Sequence, residues 1–387
     1  MAGATKDASA LLEAAAVIAP RLEAAAEEID RERRLPGPLV EEMIEAGLYR
    51  MLVPGSLGGY ELDLLTFSEV VETVAKADAS AGWCLSQNAG TCLQAVSLPR
   101  RGAEEVLGDP RAVLAGGYGS AAARRVPGGY RLTGTWSYAS GIRHATWLRG
   151  NCRLLDERGE PVRTAEGAPE GMMLFFPVSE AKIEDVWYVS GLRGTGSERY
   201  SVSELFVPEH RAILKRPPEP GPLYCFGNNQ VFSIGFASVA MGLARASLDG
   251  FFRLASVKTP RGLRGLLREQ PRVQGEIAFA EATLRSTRAY LRQAVAEVWQ
   301  AVSATGELTL SQRIDLRLAT TYAIQRCAEV VDAVYHHAGG TAVYSDQPFE
   351  RRFRDMHAVT QQVQARPDHY EPAGQFLMGM EPDRQWL

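Results

Sequence analysis

Apolar residues recur at helical spacing in two long stretches near the end of the chain. Val273, Ile277, Leu284, Leu291, Val295 and Val298 mark one stripe. Ile314, Leu318, Tyr322, Val331 and Tyr335 mark the other. Both fit one face of a helix, and each run nears about 30 residues, roughly 45 Å. Long helices on short connections predict a bundle. The beginning of the chain is helical too. Ala8 to Ile29 carries Glu13, Arg21, Glu23, Glu27 and Glu28 among its alanines, which reads as an amphipathic helix and not as a secretory signal. Pro36-Gly37-Pro38 and Pro54 to Gly59 punctuate this region. Leu65 to Leu98 then reads as one long, largely apolar helix with no charge after Asp78.

Between the helical regions the pattern changes. From about Val113 to Leu214 the runs are short, rich in Tyr, Trp, Thr and Val, and separated by turn signals such as Gly128-Gly129 and Arg158-Gly159. Tyr130 to Leu132, Cys152 to Leu155, Met172 to Val178 and Tyr200 to Val207 are strand candidates, which predicts an antiparallel β domain. Arg216 to Pro222 reads as a linker closing it. The expected organisation is therefore α+β: an N-terminal helical domain over 1–112, a β domain over 113–215 and a C-terminal four-helix bundle over 223–387. A cleft between unlike domains favours a small-molecule ligand.

Composition narrows the function classes. The 387 residues carry a formal charge of −4, which gives no sign of nucleic acid or an anionic membrane as partner. No uninterrupted apolar run of about 20 residues is present. Cys84, Cys92, Cys152, Cys225 and Cys327 are scattered, odd in number and without a CxxC, as expected of reduced thiols in a cytoplasmic protein. His336-His337 lacks the i, i+4 spacing of a helical metal site, so no metal is expected.

Four strings, in order, resemble the acyl-CoA dehydrogenase-like flavoprotein superfamily. They are Val53-Pro54 with Gly58-Gly59 and Asp78-Ala79-Ser80; Gly128 to Gly134 running into Tyr138-Ala139-Ser140-Gly141; Gly191 to Ser197 ending in Phe206-Val207-Pro208; and Gly339-Gly340, Tyr344, Pro348, Arg351 and Arg354-Asp355. Within it, Trp136 to Trp147 and Arg354 to Ala358 resemble the two-component flavin monooxygenases. The resemblance implies a monooxygenase that takes reduced FMN or FAD from a separate NAD(P)H-dependent reductase. With O2 it would oxidise a small aromatic, heteroaromatic or amine substrate through a C4a-hydroperoxide. It also implies a homodimer or homotetramer.

The expected site follows from this resemblance. Ser140 is placed at the flavin N5 edge, with Trp136, Tyr138, Gly339 and Gly340 as further flavin contacts. Ser140, His144 and His357 are candidate catalytic residues, and Asn88 and Gln362 candidate substrate contacts. Each has a plainer reading. Ser140 fits a turn, Trp136 and Tyr138 fit β-domain core, Gly339-Gly340 fits a helix stop, and Arg351 and Arg354 fit fold maintenance. Arg261, Arg264 and Arg268 read as a solvated face.

A dehydrogenase of this family needs a carboxylate to remove an α-proton. The stretch after Arg354-Asp355 reads His357 to Val363 with no acid, and Tyr224 to Leu248 has none either. Asp368 and Glu371 lie outside the motif. No GxGxxG opens a helix after a strand, as expected if nicotinamide chemistry belongs to a partner. Two alternatives stay open: a flavin dehydrogenase with an unconventional base, and a flavin-free binding protein.

Overall fold

The computed structural model describes residues 8–165, 167–213 and 220–387. Six helices come first: α1 (Ala8–Ala24), α2 (Ala26–Glu32), α3 (Gly37–Glu45), α4 (Leu64–Ala77), α5 (Ala79–Ala95) and α6 (Arg100–Leu107). The helix expected over Ala8–Ile29 is thus two, broken at Ala25 (φ −87°, ψ 0°), which sets Ile29 against the loop at Gly194. The single helix expected over Leu65–Leu98 is also two. Asp78 is extended (φ −149°, ψ 125°), and its carboxylate accepts from the Ala81 amide at 2.9 Å. An N-cap starts a new helix here, and a hydrophobicity pattern cannot register that.

Eight strands follow: β1 (Leu114–Gly116), β2 (Tyr118–Val126), β3 (Gly129–Ala139), β4 (Trp147–Leu155), β5 (Gly171–Pro177), β6 (Lys182–Glu184), β7 (Glu198–Pro208) and β8 (Ala212–Ile213). They form one sheet in the order β6-β7-β3-β2-β4-β5-β8, with β1 beside β4. The sheet is mixed, not purely antiparallel, because β4 runs parallel to both β1 and β2. After the β2–β3 hairpin the chain turns at Ile142–His144 and lays β4 along the direction of its start. Trp136, fully buried, stacks on Tyr200 at 5.0 Å inside the sheet core, and its indole N–H donates to the Asn151 carbonyl at 2.9 Å. Residues 216–219 of the expected linker lie outside the described residues.

The last helices are α7 (Asn228–Ala255), α8 (Pro271–Thr305), α9 (Leu310–Ala338), α10 (Pro348–Thr360) and α11 (Tyr370–Leu377). The stripe expected on α8 is buried from Ile277 to Val298, but the one expected on α9 is not its buried face. There Ile314 and Val331 are buried, Leu318 and Tyr335 only partly so and Tyr322 is exposed, while Ala319, Thr320, Ala323, Ile324 and Cys327 fill the core. Helix α7 is apolar and long enough to cross a membrane, but 94% of its most apolar window is buried inside the fold. It packs on α4, α5 and α9, so one core joins the first and last helices, from Leu11 to Ala365. Small residues allow the closeness. A Cβ at Gly82 would meet Ala75, and one at Gly242 would meet the α4 backbone at Glu72 and Lys76.

Candidate functional site

Asn88, Tyr138, Ser140 and His144 of the expected residues gather where β3 ends against α5. The β3–β7 register shifts between Trp136 and Ala139, which marks a bulge. Within it Tyr138 is held at φ 64°, a conformation costly for a residue with a Cβ. The bulge turns the Tyr138 ring outward, 65% exposed and edge-on to Trp187 at 6.0 Å. Two residues on, Ser140 is buried. Gly141 follows at φ 73°, and a Cβ there would collide with the side chains of Asn88 and His144.

Ser140 belongs to a line of hydroxyls. The Trp83 indole N–H donates to Ser140 Oγ at 3.0 Å. Ser140 Oγ lies 2.8 Å from Ser197 Oγ, and Ser197 Oγ lies 2.7 Å from Thr195 Oγ1. Thr195 donates to the Leu192 carbonyl at 2.8 Å. A carbonyl only accepts, so the protons run one way: Ser140 to Ser197, Ser197 to Thr195, Thr195 to Leu192. Ser140 therefore keeps an unused lone pair and has no proton left to give.

Asn88, His144 and Tyr49 form a second group beside it. The Asn88 amide nitrogen donates to the carbonyls of Leu114 (2.8 Å) and Ser140 (3.2 Å). Its oxygen therefore faces His144 Nε2 at 3.1 Å, which places the imidazole proton on Nε2. The Tyr49 hydroxyl is 3.4 Å from the same nitrogen. Burial pushes the His144 pKa from 6.5 down to about 4, so the ring is neutral at pH 7. The unfolded chain takes up this proton below about pH 6.5 and the fold does so only near 4, so stability falls as pH falls through that window. His144→Asn should lose less unfolding free energy than the wild type between pH 7 and 4.5, as measured by urea denaturation.

The loop carrying Thr195 and Ser197 is clamped to the helices. The Leu192 amide donates to Asp355 Oδ1 at 2.6 Å. Burial, then the neighbouring Asp78 carboxylate, pushes the Asp355 pKa up to about 7. Arg354 donates to the Ser190 carbonyl, and Arg193 to the Asp30 carbonyl at 3.0 Å. Gly191 has no room for a side chain, because a Cβ would run into the Arg354 carbonyl.

The remaining expected residues lie apart from this group. Trp136 is enclosed in the sheet core. His357 of α10 pairs with Asp332 of α9 at 2.9 Å and packs on Phe353 with ring centroids 4.3 Å apart, and no hydrogen bond joins it to Ser140 or His144. Gln362 accepts from the Gln364 amide at the end of α10. Gly339 ends α9 at φ 56°, and Gly340 has open space where a Cβ would stand. Sequence reasoning missed Trp83, whose polar edge is hidden in an apolar helix, and gave Ser197 no role although it ends a quoted string.

The acids are engaged elsewhere. Asp368 and Glu371 are exposed. Glu198, fully buried beside Ser197, accepts from Arg143 (2.6 Å) and from the amides of Val186 (2.7 Å) and Trp187 (3.0 Å). Among the described residues no carboxylate bonds to Ser140, Ser197, Asn88 or His144. The residues present fit a reduced flavin. They offer an acceptor at Ser140, an exposed ring at Tyr138 edge-on to the half-buried Trp187, and, among the described residues, no carboxylate bonded to the group.

Residues 5–106 match the family described as acyl-CoA dehydrogenase, N-terminal domain, and residues 234–367 match its C-terminal domain. The chain is 30% identical to the indole-3-acetate monooxygenase of Pseudomonas putida, over 92% of this chain and 90% of that one. It is 28% identical to the flavin-dependent monooxygenase oxygenase subunit HsaA of Rhodococcus jostii, over 88% and 90%. Among solved structures, XiaF from Streptomyces in complex with FADH2 and glycerol superimposes with a TM-score of 0.90 at 26% identity, over 97% and 96% of the two chains. The HsaA monooxygenase from M. tuberculosis gives 0.87 at 26%, over 99% and 100%. With its helix–sheet–helix order and its flavin-compatible hydroxyl line, this chain belongs to the acyl-CoA dehydrogenase-like superfamily, as one of its flavin-dependent monooxygenases.

Proposed function

We propose that the chain is the oxygenase component of a two-component system, taking reduced FMN or FAD from a separate reductase and acting on a small aromatic or heteroaromatic substrate. The named activity of the indole-3-acetate monooxygenases supports an indole-like ring as the substrate class. Bound reduced flavin would supply both electrons, so that one atom of O2 enters the substrate and the other leaves as water. The observation that carries the reading is the one-way hydroxyl line. Ser140 offers a lone pair, which complements the N5–H of a reduced flavin and not the bare N5 of an oxidised one. Neutral His144 acts as a fixed hydrogen-bonding group, because a ring with a pKa near 4 is a weak base at pH 7. Trp83 and its stacked neighbour Phe236, 4.3 Å away, would keep water from Ser140. The exposed Phe279 on α8 and the half-exposed pair Tyr290–Tyr322 support assembly into dimers or tetramers through the bundle. Free thiols at all five cysteines suit a cytoplasmic setting.

The test mixes the protein with chemically reduced flavin and then with oxygen in a stopped-flow instrument. A transient near-ultraviolet band that precedes the return of oxidised flavin is expected. Tight binding of oxidised FAD that an acyl-CoA bleaches would instead mark a dehydrogenase. No affinity for either flavin state would mark a binding protein.

A further inference from the structure

Arg149 is a buried cation without a counter-charge. It lies on β4 opposite Gly116 of β1, and Phe175 of β5 flanks it on the other side. The residue is 6% exposed. Its guanidinium covers Gly116, where a Cβ would stand 2.5 Å from Nε. It makes one long hydrogen bond, 3.4 Å to the Gly117 carbonyl, and among the described residues Nε has no partner. Among the described residues no carboxylate lies within ion-pair distance. The nearest ionisable neighbours are tyrosines, and the Tyr200 hydroxyl is occupied by the Arg149 carbonyl and the Gly117 amide. Removing a guanidinium from water with nothing to balance it is costly, so folds seldom keep one without a reason.

Its place suggests the reason. Leu114 and Phe175 share a core with Cys92 and Ala95 of α5, so this face of the sheet looks toward α5. Side chains alternate along a strand, which puts Arg149 on that same face. Leu114 is the residue whose carbonyl holds Asn88, next to Ser140 and His144. Gly116 lies two residues further along β1, roughly 7 Å away. The cation thus lies on the sheet face toward α5, one strand over from β1, whose Leu114 carbonyl holds Asn88.

We propose that Arg149 recognises the carboxylate of an aromatic acid substrate, and so selects acids over neutral rings of the same shape. This rests on the oxygenase reading above. A planar guanidinium matches a carboxylate through paired N–H donors, and the lack of any acid in the protein leaves that place to the ligand. The glycine at 116 makes room for the guanidinium head.

Equilibrium binding without flavin provides the test, with indole-3-acetate and its neutral isostere indole-3-acetamide as probes. The wild type should bind the acid at least 10-fold more tightly. Arg149→Met should lose about 100-fold of the affinity for acetate and less than 3-fold of that for the amide, and Arg149→Lys should fall between. Equal affinity of the wild type for both probes, or no binding of either, overturns the proposal. So does a parallel loss of both probes in Arg149→Met. A fall in reduced-flavin affinity with the acid preference intact would assign Arg149 to the cofactor instead and also overturns it. Should Arg149→Met fail to fold, the wild-type comparison and Arg149→Lys still decide. Failure of the oxygenase reading is separately visible, because it removes the near-ultraviolet transient without touching the acid preference.

Discussion

Ser140→Ala should shorten the lifetime of the near-ultraviolet transient by roughly 10- to 100-fold, the effect of losing a hydrogen bond of about 1.4 to 2.7 kcal/mol. Most reduced flavin should then be reoxidised with release of peroxide and without oxygenated product. Peroxide and product quantified against flavin consumed give the reading, and unchanged coupling would remove Ser140 from the reaction. The same variant leaves the buried Trp83 N–H without its acceptor, which costs about 1–3 kcal/mol of stability. Ser197→Ala separates the two effects. It keeps the Trp83 bond but frees the Ser140 proton. Oxidised flavin, whose N5 accepts, should bind Ser197→Ala more tightly relative to reduced flavin than it binds the wild type. Anaerobic titration with each flavin form measures that ratio.

Gly191→Ala should destabilise the fold by about 3 kcal/mol and lower the melting temperature by several degrees. The added methyl meets the Arg354 carbonyl, which belongs to a helix backbone and cannot rotate aside. To relieve the clash, the loop must move off α10, loosening the Leu192–Asp355 and Arg354–Ser190 bonds together. Thr195 and Ser197 ride on that loop, so reduced-flavin affinity should fall as well. Gly262→Ala is a useful control, because a Cβ there meets nothing and only its positive φ is strained. Calorimetry of both variants checks the ordering, and equal melting temperatures would show that the clamp is soft.

The sequence made the architecture readable where a single periodicity ran long. Helix α8 exposes one side and buries the other, so its stripe stands out, whereas α9 buries small residues such as Ala319, Thr320 and Ala323 that a hydrophobic pattern passes over. Strand β3 alternates clearly around Leu132 and Trp136, while β5 is buried on both faces from Leu174 to Phe176. What it hid were features set by one side chain or one dihedral. The break at Asp78 depends on a single carboxylate turning back onto the Ala81 amide. The mixed sheet depends on the path of the Ile142–His144 turn. At the site, Ser140 and His144 were legible in one local string and Asn88 through the family resemblance alone, and the fold brings the three into one group. Trp83 was not, because an indole in an apolar helix looks like core until its N–H is seen on Ser140. Arg149 was equally silent. One arginine in a strand reads as surface charge, and only its burial makes it unusual.

Because helix α7 threads between α4, α5 and α9, the first two hundred residues cannot complete a core of their own. During synthesis their apolar surfaces must wait for a segment that leaves the ribosome many seconds later. A nascent chain stalled before Asn228 should therefore recruit chaperones and resist purification as a soluble fragment. Supplying residues 220–387 as a separate polypeptide should rescue it, much as two halves of a split reporter complement one another.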